Sequence, residues 1–245
     1  MSGVLVFAFL LFELLAIATV SVSFSNGSSY HVGCLESERR ALLRFKQDLQ
    51  DPSNRLASWI GYEDCCAWAG VVCDNVTGHI VELNLRNPFT YCDLSQSKAN
   101  PRSMLVGKGP IPEGLQNLTS LKHLGLPFNH FSSSVPKWFD RLTHLEHLSL
   151  SYNSLEGRIP RSMARLCNLR RLYLGGAKLN QEISEILEIF SGCVSNGLES
   201  LALASSSISG HLTDQLGQFK NLDSLDLSNN SIVGPVPESL GQLSS

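Results

Sequence analysis

From about residue 80 onward, apolar and polar positions follow one pattern that recurs along the chain. The template L-x-x-L-x-L-x-x-N-x-L fits LKHLGLPFNHF from Leu121, LEHLSLSYNSL from Leu145, LRRLYLGGAKL from Leu169, LESLALASSSI from Leu198 and LDSLDLSNNSI from Leu222. A degenerate copy, IVELNLRNP, begins at Ile80, and the five full copies start 24, 24, 29 and 24 residues apart. Registered self-similarity at this period predicts a solenoid in which every turn contributes one short strand. The first, fourth and sixth positions are expected to point inward and stack on their equivalents in the next turn. Leu121, Leu124 and Leu126 then lie against Leu145, Leu148 and Leu150, and these against Leu169, Leu172 and Leu174. Asn129, Asn153 and Asn230 occupy the template asparagine and are expected to bond backbone groups where the chain leaves the strand. Ala177 and Ser206 stand at that position in the fourth and fifth copies, where the ladder is expected to break.

The rest of each unit is also patterned. Gly157-Arg158-Ile159-Pro160 matches Gly234-Pro235-Val236-Pro237, and Gly109-Pro110-Ile111-Pro112 comes from an incomplete copy. The 29-residue copy carries its extra length around 182–190, where Ile183, Ile186, Leu187 and Phe190 have helical spacing and predict a helix on the convex side.

Residues 34–75 read as a separate module. Ser37 to Lys46 predicts an amphipathic helix with Leu42, Leu43, Phe45 and Leu49 on its apolar side, stopped by Asp51-Pro52. Trp59, Cys65-Cys66, Trp68 and Cys73 follow. A solenoid's end turn exposes its leucines unless something covers them, and a stapled helix with two tryptophans suits that task. Vicinal cysteines rarely bond each other. That leaves two connectivities: Cys34–Cys65 with Cys66–Cys73, or Cys34–Cys66 with Cys65–Cys73. Cys167 and Cys193 each lie just before a strand in consecutive turns, so a bond between them across the inserted helix is expected. Cys92, inside the polar insertion 89–106, is the odd one out.

Residues 4–20 are almost uninterrupted apolar, though Glu13 interrupts them and no Lys or Arg precedes them. They predict a secretory leader over roughly 1–24, with a transmembrane anchor as the poorer fit. Seven cysteines without a C-x-x-C pair argue against a zinc ribbon or a thioredoxin-like motif. Asn-x-Ser/Thr triplets occur at Asn26, Asn75, Asn117 and Asn229, the last three expected as glycosylation sites. All of this fits an oxidising, extracellular compartment. Of 245 residues, 43% are hydrophobic and 40 are leucine, enough to build a core, and the net charge is −3. With a pI near 6.2, a nucleic-acid partner is not expected. No G-x-S-x-G, Walker loop or H-E-x-x-H occurs, so neither catalysis nor a cofactor is expected.

The run C-x-x-S-E-R-x-A-L-L-x-F-K from Cys34, a later S-W, then C-C-x-W-x-G-V-x-C and T-G-H-I-V-E-L-N-L to Leu85, resembles the N-terminal cap of plant extracellular leucine-rich-repeat proteins. The L-x-G-x-I-P ending (Leu155 to Pro160; Ile232 to Pro237 with Val236 for Ile) is similar to the plant-type repeat. The resemblance covers residues 34–245. Within that group the chain looks most like the receptor-like proteins of plant immunity, fungal xylanase receptors included. It implies an α/β solenoid: a right-handed curved leucine-rich-repeat superhelix of about six turns (80–245, the last incomplete) behind a disulfide-stapled helical cap (25–79). It also favours Cys34–Cys65 with Cys66–Cys73. The function implied is recognition of a peptide, protein or microbial ligand at the cell surface. Signalling would pass to receptor-kinase co-receptors, with membrane attachment through a C-terminal segment absent from this chain. The rival readings are a secreted inhibitor of microbial wall-degrading enzymes, like the polygalacturonase-inhibiting proteins, and a non-functional truncated product.

Strand positions facing the concave side are where such solenoids bind. In order they are Glu82, Asn84, Arg86; His123, Gly125, Phe128; His147, Ser149, Tyr152; Arg171, Tyr173; Ser200, Ala202; and Ser224, Asp226, Ser228. Of these, His123, Phe128, His147, Tyr152, Arg171, Tyr173 and Asp226 are the expected ligand contacts, since aromatics and arginine anchor interfaces. His123 and His147, 24 residues apart, are expected to stack on adjacent strands. His144-Leu145-Glu146-His147 lacks a third ligand at useful spacing, so no metal site is expected.

Overall fold

The computed structural model describes residues 32–88, 90–93, 96–99, 101–107 and 109–242, the side chains of 90–101 and 242 excepted. The expected leader, the Asn26 triplet and the Cys92 side chain lie outside the described residues. Seven short strands form one sheet: β1 (Val71–Cys73), β2 (Ile80–Asn84), β3 (His123–Gly125), β4 (His147–Ser149), β5 (Arg171–Tyr173), β6 (Ser200–Ala202) and β7 (Ser224–Asp226). β1 runs antiparallel to β2, and β2 to β7 are parallel in sequence order. Each strand pairs with its neighbour at the same template position, as a solenoid with one strand per turn requires.

Behind the sheet the leucines form a continuous spine. From Leu121 to Leu203 every first-, fourth- and sixth-position leucine is at most 1% exposed. Burying a leucine this fully contributes about 1.5–3 kcal/mol, which no turn obtains without its neighbours. In the last described turn Leu222 is buried, while Leu225 and Leu227 are only partly so. The convex side is built from single 3₁₀ turns, among them Glu113–Asn117, Lys137–Arg141, Arg161–Arg165 and Asp214–Gln218. Proline stands just before the first three, fixing φ where an amide donor is not needed. The 29-residue turn adds an α-helix, Ile183–Phe190, labelled α2, ahead of its own 3₁₀ turn Cys193–Asn196, and Ile183, Ile186, Leu187 and Phe190 of the helix are all buried.

The asparagine ladder spans turn boundaries. Asn153 Nδ2 donates to Leu150 O (2.9 Å) in its own turn and to Leu126 O (2.9 Å) in the preceding one, while its Oδ1 accepts from Phe131 N (3.1 Å). Asn129 and Asn230 repeat the arrangement. At one position the structure corrects the sequence reading. The Ser206 hydroxyl donates to Leu174 O of the preceding turn (3.2 Å), so only Ala177 leaves that rung without a side chain.

The cap helix α1 (Glu36–Gln47) buries Ala41, Leu42 and Phe45. It ends before the expected Asp51-Pro52 stop, because Leu49–Gln50 turns away to pair antiparallel with Val106–Gly107. Gly114 permits close approach of the first 3₁₀ turn to α1: a Cβ there would meet Ala41 O at 2.9 Å. Phe45 stacks on Phe131 at 6.2 Å, joining cap to repeats. Trp59 and Trp68 stack at 5.5 Å, with Trp59 Nε1 donating to Ala69 O. Disulfides join Cys34 to Cys65, Cys66 to Cys73 and Cys167 to Cys193, with Cα separations of 5.4, 5.5 and 5.0 Å.

Two polar ties in the cap carry no sequence pattern. The buried Glu38 carboxylate accepts from Ile80 N (2.7 Å) and meets His79 Nδ1 (2.8 Å). Arg55 donates to Leu85 O, Arg86 O, Ser103 O and Asn129 Oδ1, so one guanidinium clamps the loop after β2 to the first asparagine rung. Burial lowers its pKa from the ordinary arginine value, partly offset by Asp51.

Candidate functional site

The parallel register sets the strand face out in rows. One row runs Glu82, His123, His147, Arg171, Ser200, Ser224; the other runs Asn84, Gly125, Ser149, Tyr173, Ala202, Asp226. These residues alternate with the inward Leu83, Leu124, Leu148, Leu172, Leu201 and Leu225, so the pleat that buries the spine also displays them.

Four expected contacts gather at the centre. The His123 and His147 rings meet edge-to-face at 6.0 Å, and His147 meets Tyr173 edge-on at 5.2 Å. His123 Nδ1 lies 3.4 Å from Glu82 Oε2. Arg171 stands 3.6 Å from Glu199, whose other oxygen pairs with Arg170 at 2.6 Å. Together Glu82, Asn84, Arg86, His123, His147 and Tyr173 line a concavity of about 280 Å³ with Gly125 and Ser149 at its floor. His147 Nε2 is buried there with no hydrogen-bond partner. Burial, then the charges of His123 and Arg171, lower the His147 pKa, with Glu82 pulling the other way.

Phe128 and Tyr152 belong to a second feature. They follow the strands and stack on each other at 4.7 Å and 8°, with the Arg86 guanidinium 5.3 Å from the Phe128 centroid. Phe128 is only 9% exposed, so it serves as the middle of the stack; Tyr152, at 39%, offers the accessible surface. Both are left-handed, with φ of 59° and 55°, as are Gly176 (80°), Ser205 (56°) and Asn229 (55°) at the same template position. Every full turn thus makes its exit bend with a positive φ, which costs a non-glycine residue of order 1–3 kcal/mol. Gly176 and Asn229 are the only residues in that column whose identity hints at it.

Asp226 stands apart, two strands beyond Tyr173 and hence roughly 10 Å away; it accepts from Ser228 N and Oγ. His144 turns away from His147 and meets Thr119 O through Nδ1 at 3.0 Å. Among the described residues, the one trio of metal-capable groups within reach of one another is Cys34, Cys66 and Cys73, all held in disulfides. Asn75, Asn117 and Asn229 are exposed. Asn75 lies beside the cap and Asn117 on the convex side, whereas Asn229 sits at the rim of the strand face.

Comparison with known proteins agrees with this architecture. The leucine rich repeat N-terminal domain family matches residues 35–74, and leucine rich repeat families match 119–179 and 221–243. Receptor-like protein EIX1 of Solanum lycopersicum is 37% identical over 123 residues, which is 49% of this chain and 11% of that protein. Receptor-like protein EIX2 of the same plant is 39% identical over 101 residues, 41% of this chain and 9% of that one. The chain thus matches about a tenth of the length of these curated relatives. Among solved structures, the Arabidopsis receptor kinase HAESA ectodomain, bound to the IDA peptide hormone, superposes with a TM-score of 0.69 at 33% identity, covering 85% of this chain and 32% of that one. The Arabidopsis SOBIR1 receptor kinase ectodomain gives 0.61 at 26% identity, covering 84% and 99%. No helix among the described residues is long and apolar enough to cross a membrane. This is a leucine-rich-repeat solenoid carrying the leucine rich repeat N-terminal domain, homologous over part of its length to plant receptor-like proteins.

Proposed function

We propose that this chain is the extracellular ligand-recognition part of a plant receptor-like protein, acting in defence or development. Its concave strand face takes a peptide or protein ligand, microbial or endogenous, and signalling passes to partner receptor kinases. The observation that carries this reading is the cluster of His123, His147, Arg171 and Tyr173 displayed on adjacent strands of a sheet whose opposite face is sealed by leucine. A preformed face loses little freedom on binding, and its aromatic and arginine groups are those that dominate interface energetics. The HAESA ectodomain, of the same architecture, is solved with a peptide hormone, and with that hormone plus the co-receptor SERK1. The broad, open strand face suits binding of an extended ligand.

The test is binding of the secreted chain to a panel of purified fungal xylanases, polygalacturonases and synthetic plant peptide hormones. A panel member that binds is expected to lose at least tenfold in affinity with Arg171→Ala plus Tyr173→Ala, and nothing with Arg161→Ala on the convex side. Equal losses from both variants contradict the reading. Direct inhibition of polygalacturonase by the chain favours the inhibitor alternative instead.

A further inference from the structure

The central concavity holds an imidazole whose hydrogen-bonding capacity is unused. His147 Nε2 is buried without a partner, and a buried polar group left unpaired is unfavourable. The titratable and charged groups around it are Glu82 from β2, Arg86 just after β2, His123 from β3, and Arg171 and Tyr173 from β5. Glu199, beside β6, is already engaged by Arg170 and Arg171. Just before β4, Glu146 lies near Lys122 at 3.9 Å. With His147 neutral, the positive charges of Arg86 and Arg171 exceed the negative charge of Glu82 by one. Protonation of His147 adds a second surplus positive charge. The face is therefore complementary to an anion, and increasingly so as His147 takes up a proton.

We propose that the concavity lined by Glu82, His123, His147 and Tyr173 is a carboxylate-binding site, taking an Asp or Glu side chain of an extended peptide laid across the strands. The inference rests on the concave-face reading above and narrows it to an acidic ligand. The bound carboxylate accepts a hydrogen bond from His147, with Arg86 and Arg171 as flanking positive charge, and a proton moves from solvent to the imidazole as the complex forms. Charge-assisted bonds of this kind are the strong ones. Binding raises the proton affinity of His147, so affinity rises as pH falls until the ligand carboxylate is itself protonated.

The experiment uses the full chain and two probe peptides, acetyl-Gly-Gly-Glu-Gly-Gly-amide and its Gln counterpart, followed through the histidine Cε1–H resonances. The Glu peptide is expected to move the His147 and His123 signals, shift the His147 titration midpoint upward, and bind at least threefold more tightly at pH 5.5 than at pH 7.5. The Gln peptide is expected to do none of these. His147→Gln removes the response. Arg171→Met weakens it while leaving the imidazole in place, which keeps the test valid if His147→Gln disturbs the sheet. No response, equal responses to both peptides, or an unchanged response in His147→Gln overturns the proposal. If that happens while Arg171→Ala plus Tyr173→Ala still lowers panel binding, the concave-face reading stands and only the acidic-ligand assignment falls.

Discussion

Replacing Asn153 by Ala removes one rung of the ladder and leaves the leucine spine intact. Three backbone atoms decide its cost. Leu126 O keeps a second donor in Asn129 Nδ2 (3.1 Å). Leu150 O and Phe131 N have no other hydrogen bond, and Asn153 is 9% exposed. Two orphaned backbone groups at about 1–3 kcal/mol each place the loss near 3 kcal/mol. Asn153→Ser restores a hydroxyl donor toward Leu126 O, as Ser206 does toward Leu174 O, but leaves both Leu150 O and Phe131 N unmet, so its loss is expected to match that of Asn153→Ala. Urea unfolding, followed both by cap tryptophan fluorescence and by far-UV circular dichroism, measures these losses and tests whether cap and repeats unfold together. A loss below about 0.5 kcal/mol for Asn153→Ala, within the range of an ordinary surface change, refutes the view that these side chains complete the backbone's hydrogen bonding.

Further predictions follow from other parts of the molecule. Replacing Cys167 and Cys193 by Ser opens a loop of 26 residues and is expected to cost about 3 kcal/mol, read as a lower melting temperature and faster proteolysis near α2. Tyr152 stacks on Phe128 at a left-handed φ, so Tyr152→Gly relieves backbone strain that Tyr152→Ala retains. The glycine variant is therefore expected to be the more stable by about 1 kcal/mol, and the reverse order in thermal unfolding counts against strain in that column. His147 has a lower proton affinity folded than unfolded, so its protonation favours the unfolded chain. Its contribution is intact above about pH 6.5 and is lost as pH falls below that value. Calorimetry at pH 7.5 and 5.5 is expected to show a smaller drop for His147→Gln than for the parent.

What the sequence revealed, and what it did not, follows from how each feature is encoded. The spine and the strand rows were legible because burial and display are enforced at every turn, so Leu124, Leu148, Leu172 and Leu201 recur at fixed offsets. The same spacing brought His123 beside His147. Arg55 escaped because one arginine in a loop, 30 to 74 residues from its partners, leaves no period to detect. The left-handed column escaped because Phe128 and Tyr152 are poor residues for that conformation, and the stack that holds them exists only in three dimensions. Asp226 shares the row of Tyr173 two strands further on, a separation that follows from counting turns between the two template copies. Ser206 shows that a ladder rung needs only a donor of the right reach, a looser demand than residue identity.

The claim that the strand face is where ligand sits is tested most directly by placing glycans on opposite sides of the solenoid. Arg141→Asn completes an acceptor triplet with Leu142 and Thr143 on the convex 3₁₀ turn, whereas Tyr173→Asn with Gly175→Thr builds one at the centre of the concave face. Binding of the panel xylanase, polygalacturonase or hormone peptide that recognises the parent chain is predicted to survive the first glycan and to be abolished by the second. Binding that survives the concave glycan and fails with the convex one contradicts the account.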